Sequence, residues 1–259
     1  MSFEQFVCLS GLPRTGSTLL SALLSQNPRI HAEGNSAVCQ LMWEMAQSVT
    51  LCREQLQANQ KEHLVQQLIT HIPHLYYQNI PEKVVVDKCR SWTHGPNLNL
   101  ARVCIDPQIK VIVLVRPVVE IVASFARLYQ RNGFTGETLQ AKLAALLVPQ
   151  SEPLMRSIQG VQWAKKQADP RTFLFVSYQE LVTQPEATLA RIYAFGGWPP
   201  FDHDWTHIRM KYPENDTVYG LEGQHEVRPQ LASTPNTDRG LLSPEMVDRC
   251  NKIDELTMG

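Results

Sequence analysis

The stretch Gly11-Leu12-Pro13-Arg14-Thr15-Gly16-Ser17-Thr18 decides the fold. An apolar run at residues 6–9 precedes it, and Ser-Thr-Leu-Leu-Ser-Ala-Leu-Leu-Ser at 17–25 follows with apolar residues at helical spacing until Asn27-Pro28 closes the segment. A strand, a glycine-containing turn and a helix in immediate succession are the opening unit of a parallel α/β sheet. The turn has the outline G-x-x-x-x-G-[K/S]-[S/T] of a phosphate-binding loop, with Ser17 at the usual lysine position and Arg14 supplying a cation earlier. Backbone N–H groups and the positive dipole end of the helix then point at an anion, and the hydroxyls of Thr15, Ser17 and Thr18 add donors. The absent lysine speaks against a nucleoside triphosphatase.

Three further runs read as buried parallel strands: 84–86, 111–115 and 173–176, each rich in Val, Ile or Phe. Between the first two strands, 36–48 and 53–72 carry helical spacing, and Pro73 marks an end. Pro117 follows the third strand directly and starts a helical stripe through Val118, Ile121, Val122, Phe125 and Leu128. A helix at 179–195 is stopped by Gly196-Gly197, where the core ends. The expected class is α/β, a P-loop-like parallel sheet with helices on both faces, in a single domain over 1–259. Residues 198–244, rich in Pro, Gly, Asn, Asp and Thr, read as a loop covering the site. Ligands of such sheets bind at the carboxyl ends of the strands, which singles out 11–18, 87–90, Arg116 and 177–178.

Composition narrows the ligand. With 259 residues, 43% hydrophobic content and a net charge of -1, the chain has a sizeable core and no broad basic field for nucleic acid or anionic lipid. A local anion site suits a small charged ligand. The six scattered cysteines have neither disulfide nor zinc spacing and read as reduced thiols in the cytoplasm. The N-terminal run is too short for a signal peptide or a membrane span, so no membrane partner is expected. No metal-ligand cluster stands out.

A second anion position comes from Arg116 at a strand end and Ser124 about two helical turns later. Two such positions suit one ligand with two separated phosphates. At this point the pair LPRTGSTLL and VRPVVEIVAS resembles the 5′-phosphosulfate loop and the 3′-phosphate motif of the sulfotransferases that use 3′-phosphoadenosine-5′-phosphosulfate (PAPS). The Pro-Arg and Gly-Ser-Thr-Leu form is most similar to the tyrosylprotein sulfotransferase branch. A third island, from Phe175 to Ile192 followed by Phe195-Gly-Gly-Trp-Pro, resembles the family's next strand and helix, so the likeness extends over about residues 5–199.

The resemblance implies transfer of a sulfuryl group from PAPS to a hydroxyl acceptor, a small molecule or a peptide, with release of 3′,5′-ADP and no metal. It assigns Arg14, Thr15, Gly16, Ser17 and Thr18 to the 5′-phosphosulfate, and Arg116 and Ser124 to the 3′-phosphate. It puts Tyr178 near the adenine and Lys88 near the sulfate, with Arg90 as the alternative. Arg228, in Gln-His-Glu-Val-Arg-Pro at 224–229, closes over the 3′-phosphate. Arg14 and Lys88 then also count as catalytic, beside a general base. Ungapped counting puts the branch's catalytic glutamate on Asn35, and the nearest acid is Glu33, the first choice for the base; His31, His94 and His225 are the histidine alternatives. Trp43, Trp92, Phe134 and Trp205 are candidates for an apolar acceptor pocket. The rival readings are a P-loop kinase, which the missing lysine disfavours, and a noncatalytic nucleotide-binding protein of the same fold.

Overall fold

The computed structural model describes residues 3–231 and 239–258. The elements run in the order β1 (Gln5–Gly11), α1 (Ser17–Leu24), β2 (Ile30–Asn35), α2 (Val38–Ser48), α3 (Arg53–Ala58), α4 (His63–Tyr76), β3 (Val84–Lys88), α5 (Gly95–Cys104) and β4 (Lys110–Val115). They continue with α6 (Val118–Arg131), α7 (Gly136–Leu146), α8 (Met155–Gln167), β5 (Phe173–Ser177), α9 (Tyr178–Thr183), α10 (Pro185–Gly196) and α11 (Pro244–Met258). The strands form one all-parallel sheet in the order β2-β3-β1-β4-β5.

Strand alternation divides the core between two faces. Phe6, Cys8, Val85, Val111 and Val113 point to a cluster built with α2, α4, α5, α6, α7 and α8, and Val7, Leu9, Val86, Ile112 and Leu114 point to one built with α1 and α10. Both faces are covered, which explains the near-continuous apolar runs. The helix after β1 thus lies on one face, and the helices after its neighbours β3 and β4 lie on the other. Such a reversal opens a crevice on each side of β1 at the carboxyl ends.

The sheet has one strand more than the four apolar runs. β2 reads Ile-His-Ala-Glu-Gly-Asn and lacks an apolar run because it is an edge strand paired only with β3. Its register, Ala32 to Val86 but Asn35 to Lys88, contains an extra residue, a bulge that re-aims the strand end. The expected helix at 53–72 is two helices, broken around Asn59 and Gln60, where Gln60 adopts φ 55°. α4 passes through Pro73 and ends at Tyr76, because a proline in the last turns removes one hydrogen bond only. The helix at 179–195 is likewise two, since Pro185 disfavours helical geometry at Gln184. Ser177 opens α9 with a reciprocal capping box to Glu180.

The core does not end at Gly197. In α11, Cys250 is fully buried, and the Asp254 carboxylate accepts the Val118 N–H at 2.9 Å, capping α6 from a distant part of the chain. The segment from 198 starts at the amino ends of the strands, where Trp198 Nε1 donates to Gln5, and passes Glu82 before Glu214, Tyr219 and residues 223–231 reach the carboxyl ends; residues 232–238 of the expected covering loop lie outside the described residues. Among the described residues no helix is long and apolar enough to cross a membrane.

Candidate active site

A cleft of about 770 Å³ lies at the carboxyl ends of β1, β3 and β4, within the roughly 300–1,000 Å³ usual for small-ligand sites. Its floor is the loop between β1 and α1. Gly11 has φ 125°, and a Cβ there would lie 2.1 Å from the Leu114 carbonyl oxygen, so the close approach of β1 to β4 requires glycine. Gly16, at φ 81°, caps α1; a Cβ there would meet the Tyr178 ring at 2.9 Å. No side chain caps the α1 N-terminus and its first turn carries no acid, so its leading N–H groups face the cleft as donors for an anion.

Arg14 holds φ 58°, an uncommon conformation for a side-chain-bearing residue that turns its guanidinium over the loop. Its Nε donates to Ser124 Oγ at 3.2 Å and its Nη1 donates to the Gln224 carbonyl. Burial, with repulsion from Arg116, Arg131 and Arg127, lowers its pKa to about 10. Arg14 itself forms no ion pair among the described residues, so its charge stands unneutralised over the loop, a field that favours an anion. Arg116 is 5% exposed; its Nη1 donates to the Arg14 carbonyl at 3.0 Å, its Nε to Glu120 at 3.0 Å, and its guanidinium stacks 4.2 Å above the Tyr178 ring.

On the other side of β1, Lys88 Nζ donates to Thr18 Oγ1 at 3.3 Å and lies 3.6 Å from the Glu214 carboxylate. Burial lowers its pKa to about 8 against the attraction of Glu214, with Arg90 and Arg14 lowering it further. Glu214 Oε1 accepts from the Asn35 backbone N–H at 3.0 Å, from Asn35 Nδ2 at 3.2 Å and from the Tyr219 hydroxyl at 3.0 Å. A side chain at position 34 would collide with that carboxylate, so Gly34 makes its place. His225 stands beside this group. Its Nδ1 donates to Asp216 at 2.6 Å, which leaves Nε2 as the acceptor of a 3.2 Å bond from Asn35 Nδ2. Burial, then the Lys88 charge, lowers its pKa, so the imidazole stays neutral near pH 7.

Of the residues singled out in the sequence, Arg14, Gly16, Ser17, Thr18, Lys88, Arg116, Ser124, Tyr178 and Arg228 line this one cleft, as does Arg90. Two side chains turn away from it. Thr15 is fully buried and its hydroxyl donates to the Leu12 carbonyl at 2.6 Å, closing the loop instead of facing a ligand. Glu33 is directed to His31 Nε2 at 3.2 Å, because the bulge in β2 brings Asn35, not Glu33, into register with Lys88. His31 is buried between Glu33 and Glu82, and His94 faces Gly160 of α8, so of the three candidate histidines His225 alone lines the cleft. None of Trp43, Trp92, Phe134 and Trp205 lines it; Trp92 is core, donating to Asp87 at 2.6 Å, and the aromatic wall is Phe125, Tyr129 and Tyr219.

Glu214, Asp216 and Tyr219 were not legible as site residues. They arrive on an irregular segment with no periodicity to place it, and the nearest signal is their proximity to His225 and Arg228.

No curated protein matches the chain. In fold the chain is similar to the sulfotransferase domain from the curacin biosynthetic pathway, at TM-score 0.57 and 18% identity over 99% of this chain and 97% of that one. It is also similar to the sulfotransferase domain of the Synechococcus PCC 7002 olefin synthase, at 0.55 and 18% over 96% and 94%. Mouse sulfotransferase SULT7A1, complexed with PAP, gives 0.55 and 16% over 99% and 86%. A sequence profile described as the Sulfotransferase family matches residues 7–203, from β1 past α10 and across the anion loop, Lys88, Arg116 and Tyr178, and the chain therefore belongs to the sulfotransferase family.

Proposed function

We propose that this sulfotransferase takes its sulfuryl group from PAPS and that the two crevices beside β1 divide the work. The observation that carries the reading is the meeting, in one cleft, of an uncapped helix N-terminus beside Lys88 and of a second cationic position where Arg14 donates to Ser124 next to Arg116. Their separation by one strand suits an adenosine nucleotide with a 5′-phosphosulfate and a 3′-phosphate. That the fold neighbour SULT7A1 is complexed with PAP supports the same nucleotide class here.

On this reading Gly16, Ser17, Thr18 and the Thr15 backbone hold the 5′-phosphosulfate, and Arg116, Ser124 and Arg228 hold the 3′-phosphate. Tyr178, stacked against Arg116, borders the adenine side. PAPS supplies an activated sulfuryl group, and this chain's residues position it and neutralise charge. Sulfuryl transfer has a loose, in-line transition state, so fixed cations at the leaving oxygen contribute most. Arg14 and Lys88 are the groups so placed. We assign the base to His225 rather than Glu33: Asp216 fixes its tautomer, and Nε2 takes the acceptor hydroxyl proton in place of its bond from Asn35. The acceptor is a hydroxyl compound that enters between β3 and the segment carrying Tyr219 and His225.

Calorimetry tests the nucleotide assignment. 3′,5′-ADP is expected to bind well above 5′-AMP, and Arg116→Ala to erase about 1.5–3 kcal/mol of that preference. Equal affinity of the unaltered protein for the two nucleotides would contradict it.

A further inference from the structure

The sheet order sorts the cations of the cleft. Arg116 follows β4 and Tyr178 follows β5, on one side of β1, whereas Lys88 ends β3 and Arg90 follows it on the other side, with Asn35 of β2 beyond. The first group accounts for the 3′-phosphate end of the nucleotide and Lys88 for the sulfuryl group. Arg90 then remains in the acceptor half. It opens a 3₁₀ turn, Arg90–Thr93, packed on α8, and its carbonyl accepts from Ser10 Oγ at 2.7 Å and Thr93 Oγ1 at 3.1 Å, so its backbone is rigidly placed. Its side chain is unlike the others. Nε is buried with no hydrogen-bond partner, and no carboxylate among the described residues forms an ion pair with it. Glu152, the acid on the same wall, is taken by Arg156 at 3.5 Å.

A buried guanidinium N–H without an acceptor costs free energy comparable to a lost charged hydrogen bond, and a planar fork suits a carboxylate or phosphate oxygen pair. A neutral oxygen can accept the N–H, but only an anionic oxygen pair also meets the guanidinium charge, which no carboxylate among the described residues does. We propose that Arg90 is an anion subsite for the acceptor, so that the enzyme selects hydroxyl compounds carrying a carboxylate or phosphate group. The proposal rests on the reading of the cleft as a PAPS site.

The test uses full-length protein loaded with 3′,5′-ADP, and three matched pairs measured by calorimetry: 4-hydroxyphenylacetate and its amide, 3-hydroxydecanoate and its amide, and glycerol 3-phosphate and glycerol. The first two pairs report a carboxylate subsite and the third a phosphate subsite. At least one anionic member is expected to bind tenfold or more above its neutral partner. That ratio is expected to fall to near one in Arg90→Gln, with 3′,5′-ADP affinity unchanged. Arg90→Lys, which keeps the charge and loses the fork, is expected to retain part of the ratio and serves alone if the glutamine variant does not fold. The proposal is overturned if no anionic member is preferred, if the ratio survives in Arg90→Gln or is unaltered in Arg90→Lys, or if the substitution weakens 3′,5′-ADP as Arg116→Ala does. Failure of 3′,5′-ADP to bind the unaltered protein would instead remove the functional reading beneath it.

Discussion

His225 shows how a residue's role follows from its two ring nitrogens. Asp216 takes Nδ1–H at 2.6 Å, so Nε2 carries the lone pair, and burial with a nearby ammonium keeps the ring neutral. On the proposed assignment, a base so arranged matters in the transition state and little for nucleotide binding. His225→Asn is expected to lower kcat by ~10²-fold or more with 3′,5′-ADP affinity retained, and Glu33→Gln to stay near native, as single-turnover rates and calorimetry would show. The opposite pattern would return the role to Glu33. On the same proposed assignment, Lys88 and His225 set the pH dependence. Lys88 acts as the ammonium and is depressed to about 8, so kcat/KM should fall as pH rises through that value. His225 acts as the neutral ring with its pKa below the ordinary 6.5, so the acid limb should lie below pH 6.5. In Lys88→Arg, which stays charged throughout, the alkaline limb should vanish; an unmoved limb would mean that another group titrates.

Among the elements, the loop between β1 and α1 is the least replaceable. Gly11→Ala puts a methyl group 2.1 Å from the Leu114 carbonyl oxygen at φ 125°, and Gly133→Ala meets nothing within 4 Å at φ 84°. The first combines collision with strain and the second has strain alone. Chemical denaturation should show Gly11→Ala losing clearly more than the roughly 1–3 kcal/mol of a strained backbone residue, with Gly133→Ala at or below that range. Similar losses would mean that β1 and β4 separate easily. This loop was readable in the sequence because its glycines, its helix start and the apolar runs beside it are local signals. β2 was not, since its pairing with β3 and its bulge depend on contacts distant in sequence, and Asn35 faces the cleft only because of that bulge. The capping of α6 by Asp254 is equally nonlocal.

For the whole molecule, the all-parallel sheet with both faces covered follows from strand runs separated by helical stripes, and both were legible. So were the residues anchored to strand ends: Arg14, Lys88, Arg116 and Tyr178 converge because the ends of β1, β3, β4 and β5 do. On the other side only His225 was legible, as one of three histidine alternatives, because Glu214, Asp216 and Tyr219 come from a segment held by long-range bonds such as Lys211 to Glu82 at 2.6 Å and Asn132 to Glu222 at 3.1 Å. On the proposed reading the strand ends support the donor half and the segment carrying Glu214 to His225 the acceptor half, so nucleotide binding and turnover should be separable by mutation. The central claim is that PAPS is the donor and that a hydroxyl oxygen receives its sulfuryl group. Turnover with sulfur-labelled PAPS across a panel of phenolic, aliphatic and sugar hydroxyls tests it most directly. Label is expected on the acceptor in step with 3′,5′-ADP release, with the rate reduced by ~10²-fold or more in Arg14→Ala. Binding of 3′,5′-ADP without transfer of label to any acceptor, or transfer of phosphate from ATP in its place, would contradict it.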